Sequence, residues 1–362
     1  MKRPVKPKGK RTSRKSTLLA PELRTVLHQA LQDGRLVLFL GAGVSLEYGL
    51  PPWRTLVLDL LFEHVADGSP LRQLAINYRR AVSDWLADYL DYGPTVLSRL
   101  IEDVVHARAY ASASDQAGAR AQFLKVIQSS LYEEVRVPKG RTALQAIARL
   151  IASKPDRMPA IITFNFDDLL EQELKRQDIL HQPVYSFERP EHGLVAVIHA
   201  HGYIPQRGKP PAANIVFTER DYHALTEGVF HWALTEVVWH LRHHTVLFVG
   251  LLMSDPNLRR LLDAALTPGQ PPHYQLQKRH QVLPENKDTV LQQLESSARQ
   301  WRRKFRRGIE KGSSQLFGVL ETSLHQADDF DAQLFGKMGV NTIWVHDYKQ
   351  IPKVLDEITE GP

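Results

Sequence analysis

No cysteine occurs anywhere in the 362 residues. That excludes disulfides, a cysteine nucleophile and any thiolate-held zinc. Nor is there an apolar run of eighteen or more residues, so no transmembrane helix is expected. The start of the chain has basic residues but no apolar segment after them, and so does not read as a secretory signal. The expected location is therefore the cytoplasm, without membrane contact. Paired carboxylates at a convincing metal spacing are also missing, as is any tandem repeat or phosphate-binding P-loop.

What is present is an ordinary globular composition, 43% hydrophobic and 24% charged, enough for one large core or two modest ones. The formal charge of +6 is unevenly placed: eight Lys or Arg and no acid fall within "MKRPVKPKGKRTSRKS". The remaining residues carry 38 basic against 40 acidic side chains. Residues 1–18 are read as a solvated basic tail, with contact to DNA or an acidic partner as the functional alternative. A second basic cluster, "RQWRRKFRRGIEK" at 299–311, has Trp301 and Phe305 four apart, which suits the end of an amphipathic helix.

Along the chain, "ELRTVLHQALQDG" has helical spacing and an Asp-Gly stop, and a strand at 35–40 follows. From 55 to 149 the pattern is helical almost throughout, read as a subdomain inserted between the first two sheet strands. Strand-like runs then recur in "AIITFNFDD", "LVAVIHAHGYIP", "NIVFTERDY", "HTVLFVG", "HYQLQKRHQVL" and "GVNTIWVHDY", separated by helices. Such alternation implies an α/β fold with a Rossmann-like, mostly parallel sheet covered on both faces. The expected divisions are the tail, a nucleotide-binding domain of 19–54 and 150–358, and the insert.

In an open parallel sheet, ligands bind beyond the carboxyl ends of the strands. Four such ends here are rich in chemistry: Gly41-Ala42-Gly43, Asn165 with Asp167, His199 with His201-Gly202, and Gly250 through Asn257. Glycines would let backbone N–H groups approach a pyrophosphate, although Leu46 stands where the usual dinucleotide fingerprint has its third glycine. A tight turn explains the same glycines. Asn165 could hold a ribose hydroxyl or a water, and Asp167 or Asp168 could cap the next helix. His201 suits proton transfer or ribose orientation. His199, two residues earlier, is expected on the same strand face. No third ligand makes these histidines a metal site.

Taken together and in order, "LFLGAGVSLEYGLPPW", "IITFNFDD", "VIHAHGYI", "IVFTERDY", "FVGLLMSDPNLRRLL" and "GVNTIWVHDY" resemble the sirtuin-like NAD-hydrolase family of bacterial antiphage defence. The resemblance implies hydrolysis of NAD+ to nicotinamide and ADP-ribose, with no metal required. Gly41, Ala42, Gly43 and Ser45 would line the pyrophosphate and the nicotinamide-side ribose. Trp53 and Arg54 would close over the cofactor. Asn165 would be the essential amide, supported by Asp167, and His201 the essential histidine. Gly250 would start the turn beside the adenosine ribose, and Asp347 and Tyr348 would approach the adenine. A homo-oligomer is implied, paired with a separately encoded HerA-type hexameric ATPase or a short Argonaute. Two features depart from the wider sirtuin pattern: without cysteine there is no four-cysteine zinc module, and Leu252 stands where relatives usually carry serine. The competing readings are a catalytically weak nucleotide-binding scaffold and a nucleic-acid-associated nuclease or NAD-dependent transferase.

Overall fold

The computed structural model describes residues 17–60, 97–99, 101–104, 116–211, 215–218, 231–253, 255–281 and 302–362, plus isolated positions within 78–89, 221–223 and 289–293. Residues 1–16 of the basic tail and most of "LRQLAINYRRAVSDWLADYL" lie outside them, as does Ser254.

The helices are α1 (Pro21–Gln32), α2 (Trp53–Leu60), α3 (Gln116–Leu131), α4 (Ala143–Ser153), α5 (Leu169–Arg176), α6 (Trp232–His243), α7 (Pro256–Ala265), α8 (Arg302–Lys337) and α9 (Ile351–Glu360). The strands are β1 (Leu36–Leu40), β2 (Ile161–Thr163), β3 (His181–Val184), β4 (Val195–His199), β5 (Thr245–Val249), β6 (His273–Lys278) and β7 (Val340–Val345). All seven are parallel, in the order β3-β4-β2-β1-β5-β6-β7. The expected Rossmann-like sheet is thus present, with flanking helices.

The two innermost strands, "LVLFL" and "TVLFV", are buried at every position. That is what a strand with helices on both faces requires. Alternation sorts them: Leu36, Leu38 and Leu40 enter one core, while Val37 and Phe39 enter the other beside Val246 and Phe248. Phe39 and Phe248 meet edge to face at 5.3 Å. The first core also takes Leu97, Ile101, Phe123 and Ile127. The insert's described helices therefore share the sheet's core.

Helix α4 crosses the expected 149/150 junction and packs against α5 and α9, so it belongs to the layer covering the sheet. It starts where its sequence asks it to: Thr142 and Gln145 form a reciprocal capping box. Among the described residues of "NIVFTERDY", 215–218 form no strand. The Asp221 carboxylate takes the backbone N–H groups of Phe217 and Thr218 at 3.0 and 2.8 Å, which gives those donors a partner other than a neighbouring strand. Conversely β3, "HQPV", is a short edge strand whose proline and scant apolar content hid it. The basic cluster at 299–311 runs into α8, a helix of 36 residues. Among the described residues no helix is long and apolar enough to cross a membrane.

Candidate functional site

From β1 the chain crosses toward β2, and from β5 it crosses the other way toward β6. The neighbouring carboxyl ends of β1 and β5 are therefore the topological switch point, where the fold opens a ligand crevice. Gly41, Gly43 and Gly250 meet there. A Cβ on Gly41 would lie 2.6 Å from the Gly250 carbonyl oxygen, and one on Gly43 would lie 2.8 Å from Gly250 Cα. Gly250 itself sits at φ +67°. The glycines serve first to let two protein backbones touch.

This arrangement corrects the expectation that the loop's N–H groups cradle a pyrophosphate. The N–H of Gly41 donates to Val249 O, that of Gly43 to Gly250 O, that of Val44 to Gly41 O and that of Ser45 to Ala42 O. In the 41–45 loop only the Ala42 N–H has no acceptor among the described residues. One backbone donor, not a cradle, is left over in this turn.

Asn165 lies just beyond β2, and its polar groups can be accounted for one by one. Its N–H donates to Thr163 Oγ1 at 3.1 Å, and its carbonyl oxygen lies 3.1 Å from His199 Nδ1. The side-chain Nδ2 donates to Gly41 O at 3.1 Å and to Ser45 Oγ at 3.3 Å. A carbonyl oxygen opposite Gly41 O would be repelled, which fixes the amide's orientation. Oδ1 is what remains, an acceptor on a half-buried side chain.

Ser45 Oγ donates to Asp167 Oδ2 at 2.9 Å, while Asp167 Oδ1 accepts the Leu169 N–H at 3.1 Å. Asp167 thus supports Ser45 and also caps α5; Asp168 makes no cap with its side chain. Burial pushes the Asp167 carboxyl up to about 6, against the Ser45 and Leu169 hydrogen bonds that hold it down. Between pH 4 and 6 the folded state then holds a proton that the unfolded state has lost, so this group's contribution to stability falls as pH rises through that window. Above it the ionised carboxylate costs up to about 3 kcal/mol. Asp167→Asn keeps an acceptor for Leu169 but removes that charge. It is expected to stabilise the protein at pH 7 by about 1–3 kcal/mol and to flatten the slope between pH 4 and 6, read by urea unfolding at several pH values. Equal stability of the two proteins at pH 7 would contradict this account.

His199 and His201 do not share a face. β4 ends at His199, and residues 200–201 form a turn, which breaks the alternation. His199 is fully buried toward the first core, 2.6 Å from Glu171 Oε1 through its Nε2. His201 turns to the other side, edge-on to Phe164 at 5.1 Å. There it borders a narrow cleft between Phe164 and Ala200 on the sheet side, Leu234 and Val237 on α6, and Leu258 on α7 with its capping Asp255. Its ring lies deep but keeps part of its surface open. Burial, and then the nearby His231, push its pKa down to about 4. His201 is thus neutral at pH 7 and able to accept a proton.

The loop after His201 is tied to the insert. Val216 N–H donates to His201 O at 2.8 Å. Arg120 of α3 reaches Ile215 O and Asp221, and Gln128 donates to Pro205 O and Gly208 O. Tyr132 Oη lies 2.7 Å from Ile204 O and accepts the Asp168 N–H at 3.0 Å.

The remaining expected residues lie further out. Trp53 and Arg54 open α2; the indole meets Phe217 edge-on at 6.2 Å, within the wall of the first core, while Arg54 is exposed. Asp347 caps the turn after β7, accepting the Lys349 N–H at 2.8 Å, and Tyr348 is exposed. They stand beyond β6, two strands from the switch point. Asp255 caps α7 through Asn257 N–H at 2.9 Å. No group of three or more metal-ligating side chains gathers among the described residues.

A family model described as a SIR2-like domain matches residues 159–301. That segment is similar to SIR2-like domains. The matched segment holds Asn165, Asp167, His199, His201 and Gly250, while the glycine loop of 41–45 precedes it. Among solved structures, a mutant Sir2 homologue in complex with 2'-O-acetyl ADP ribose is similar at 14% identity, covering 71% of this chain and 85% of that one, with a TM-score of 0.31. Comparison with curated proteins gave no match. The SIR2-like domain is consistent with NAD-related chemistry. Sequence reasoning had missed Glu171 as a partner within it, since its helical position carries no motif.

Proposed function

We propose that the SIR2-like domain hydrolyses NAD+ to nicotinamide and ADP-ribose. The observation that carries this reading is Asn165, whose every polar group except Oδ1 is held by the protein at the carboxyl end of β2. An acceptor fixed so firmly suits a ribose hydroxyl or an attacking water, because its orientation costs nothing further at the moment of reaction. The C1′–N bond breaks with its electron pair leaving on nicotinamide, which departs neutral. Water closes on C1′ of the cationic ribose, and the neutral His201 imidazole takes the proton lost from that water. The Ala42 N–H supplies one donor to the phosphates.

In the same proposal the activity belongs to antiphage defence and is withheld until homo-oligomerisation or a partner such as a HerA-type ATPase or short Argonaute releases it. The motif resemblance supports this, as does the harm unrestrained NAD+ cleavage would do. Leu252, 73% exposed beside Gly250, favours a second reading, a scaffold that binds nucleotide without turning it over.

The test is nicotinamide and ADP-ribose release from NAD+ by the full-length protein over a wide concentration range. Release should be level between pH 6 and 8, decline toward pH 4 as His201 is protonated, and fall about 100-fold or more in His201→Ala. Binding of NAD+ without release at any protein concentration, with the separately encoded partner and DNA present as well as absent, would establish the scaffold instead.

A further inference from the structure

We propose that His199 and Glu171 form a buried positioning pair that aims the Asn165 amide from behind, through the Asn165 backbone carbonyl. This deepens the glycohydrolase reading and rests on it. The pair is absent from the roles implied by the motifs, because Glu171 is brought to His199 only by the packing of α5 on the sheet.

Both ring nitrogens of His199 face oxygen. Nδ1 lies 3.1 Å from Asn165 O, a backbone carbonyl that can only accept, so Nδ1 carries a proton. Nε2 lies 2.6 Å from Glu171 Oε1, a contact that needs a second proton between the two groups. The pair therefore holds one proton more than a neutral histidine beside a carboxylate, and its net charge is zero. Glu171 Oε2 is buried with no hydrogen-bond partner among the described residues, so His199 is the partner through which this carboxylate is held. Tyr203 covers the imidazole at 4.7 Å and itself stacks on Tyr185.

The groups facing His199 are Glu171 of α5, Asp167 of the preceding loop, and Tyr203, with Tyr185 stacked behind it and Asp168 acting on Tyr203. Burial alone would depress the imidazole, but the charge and hydrogen bond of Glu171, with the Asn165 carbonyl, hold it above the ordinary histidine value. A doubly bonded imidazole thus locks the peptide from which the Asn165 side chain springs. Nothing in this pair touches substrate; its effect is on where Oδ1 points.

Two substitutions separate the two hydrogen bonds. An asparagine amide nitrogen falls near the position of Nδ1, and a glutamine amide nitrogen near that of Nε2. His199→Gln keeps the link to Glu171 but releases Asn165. His199→Asn combined with Glu171→Gln keeps the link to Asn165 and removes the stranded charge. In nicotinamide release by the full-length chain, H199Q should lower kcat about tenfold or more with KM within about threefold of wild type. The H199N/E171Q double variant should return kcat to within about threefold. Nitrogen-15 NMR of the wild type should show both His199 ring protons at pH 7.5. Three results would overturn the pairing: a bare Nδ1, an unimpaired H199Q, or activity that tracks only the unfolding midpoint in all variants. A wild type that releases no nicotinamide at any concentration, alone or with the separately encoded partner and DNA, would sink the glycohydrolase reading and this proposal with it; an active wild type with an unimpaired H199Q would sink the positioning pair alone.

Discussion

Gly250→Ala is expected to destabilise the protein by about 3–5 kcal/mol, the largest effect of any single methyl group at the site. Two costs combine. Gly250 holds φ +67°, a left-handed conformation that costs a residue with a Cβ about 1–2 kcal/mol. The new methyl would also lie 2.7 Å from Val44 N and 3.0 Å from Gly43 Cα, both backbone atoms fixed by adjacent parallel strands. Neither neighbour can step aside without breaking the β1–β5 ladder. Gly140→Ala separates the terms: Gly140 has φ +106° but nothing within 4 Å of an added Cβ. That variant should lose only about 1–2 kcal/mol. Urea unfolding of both, followed by circular dichroism, decides the matter. Equal losses at the two positions would mean that the close approach of the two loops contributes nothing.

Asn165→Ala should lower nicotinamide release about 100- to 1,000-fold while leaving the fold intact. The side chain is half-buried and its removal opens no large cavity; it deprives Gly41 O and Ser45 Oγ of one donor each. The loss is thus expected in kcat, with KM changed little, since Oδ1 acts where positive charge and proton transfer develop. Asn165→Asp should be no better than alanine. One carboxylate oxygen would have to face the Gly41 carbonyl, so the group would swing away from its present position or strain the loop. An alanine variant within threefold of wild type would remove Asn165 from the chemistry.

Much of this was legible in the sequence. Runs such as "LVLFL" and "TVLFV" declare doubly covered strands, because no polar residue interrupts them. Asn165 and His201 were conspicuous for ending such runs next to aromatic and glycine residues. The purpose of Gly41 and Gly43 was not legible: a glycine pair says that something comes close, and only the pairing of β1 with β5 shows that the visitor is Gly250. The fate of the histidines was hidden for a related reason. Period-two alternation holds while a strand lasts, and β4 stops at His199, sending His201 to the opposite layer. Glu171 was concealed by its setting in "LLEQELKR", which reads as an ordinary solvated helix face until the sheet supplies an imidazole. At β3 a proline-bearing tetrapeptide gains strand character only from the edge it joins.

The register that sets Leu36 beside Thr245 and Leu40 beside Val249 also orders events in time. Contacts between segments so distant along a chain form late, after the intervening residues have been made and gathered. During synthesis the glycine loop emerges early, then Asn165, then His201, yet the wall that Gly250 presses against that loop does not exist until β5 has left the ribosome. A nascent or prematurely ended chain therefore carries Asn165 and His201 without the wall that completes the switch point. Under the proposed reaction, a half-made copy could not begin to cleave NAD+.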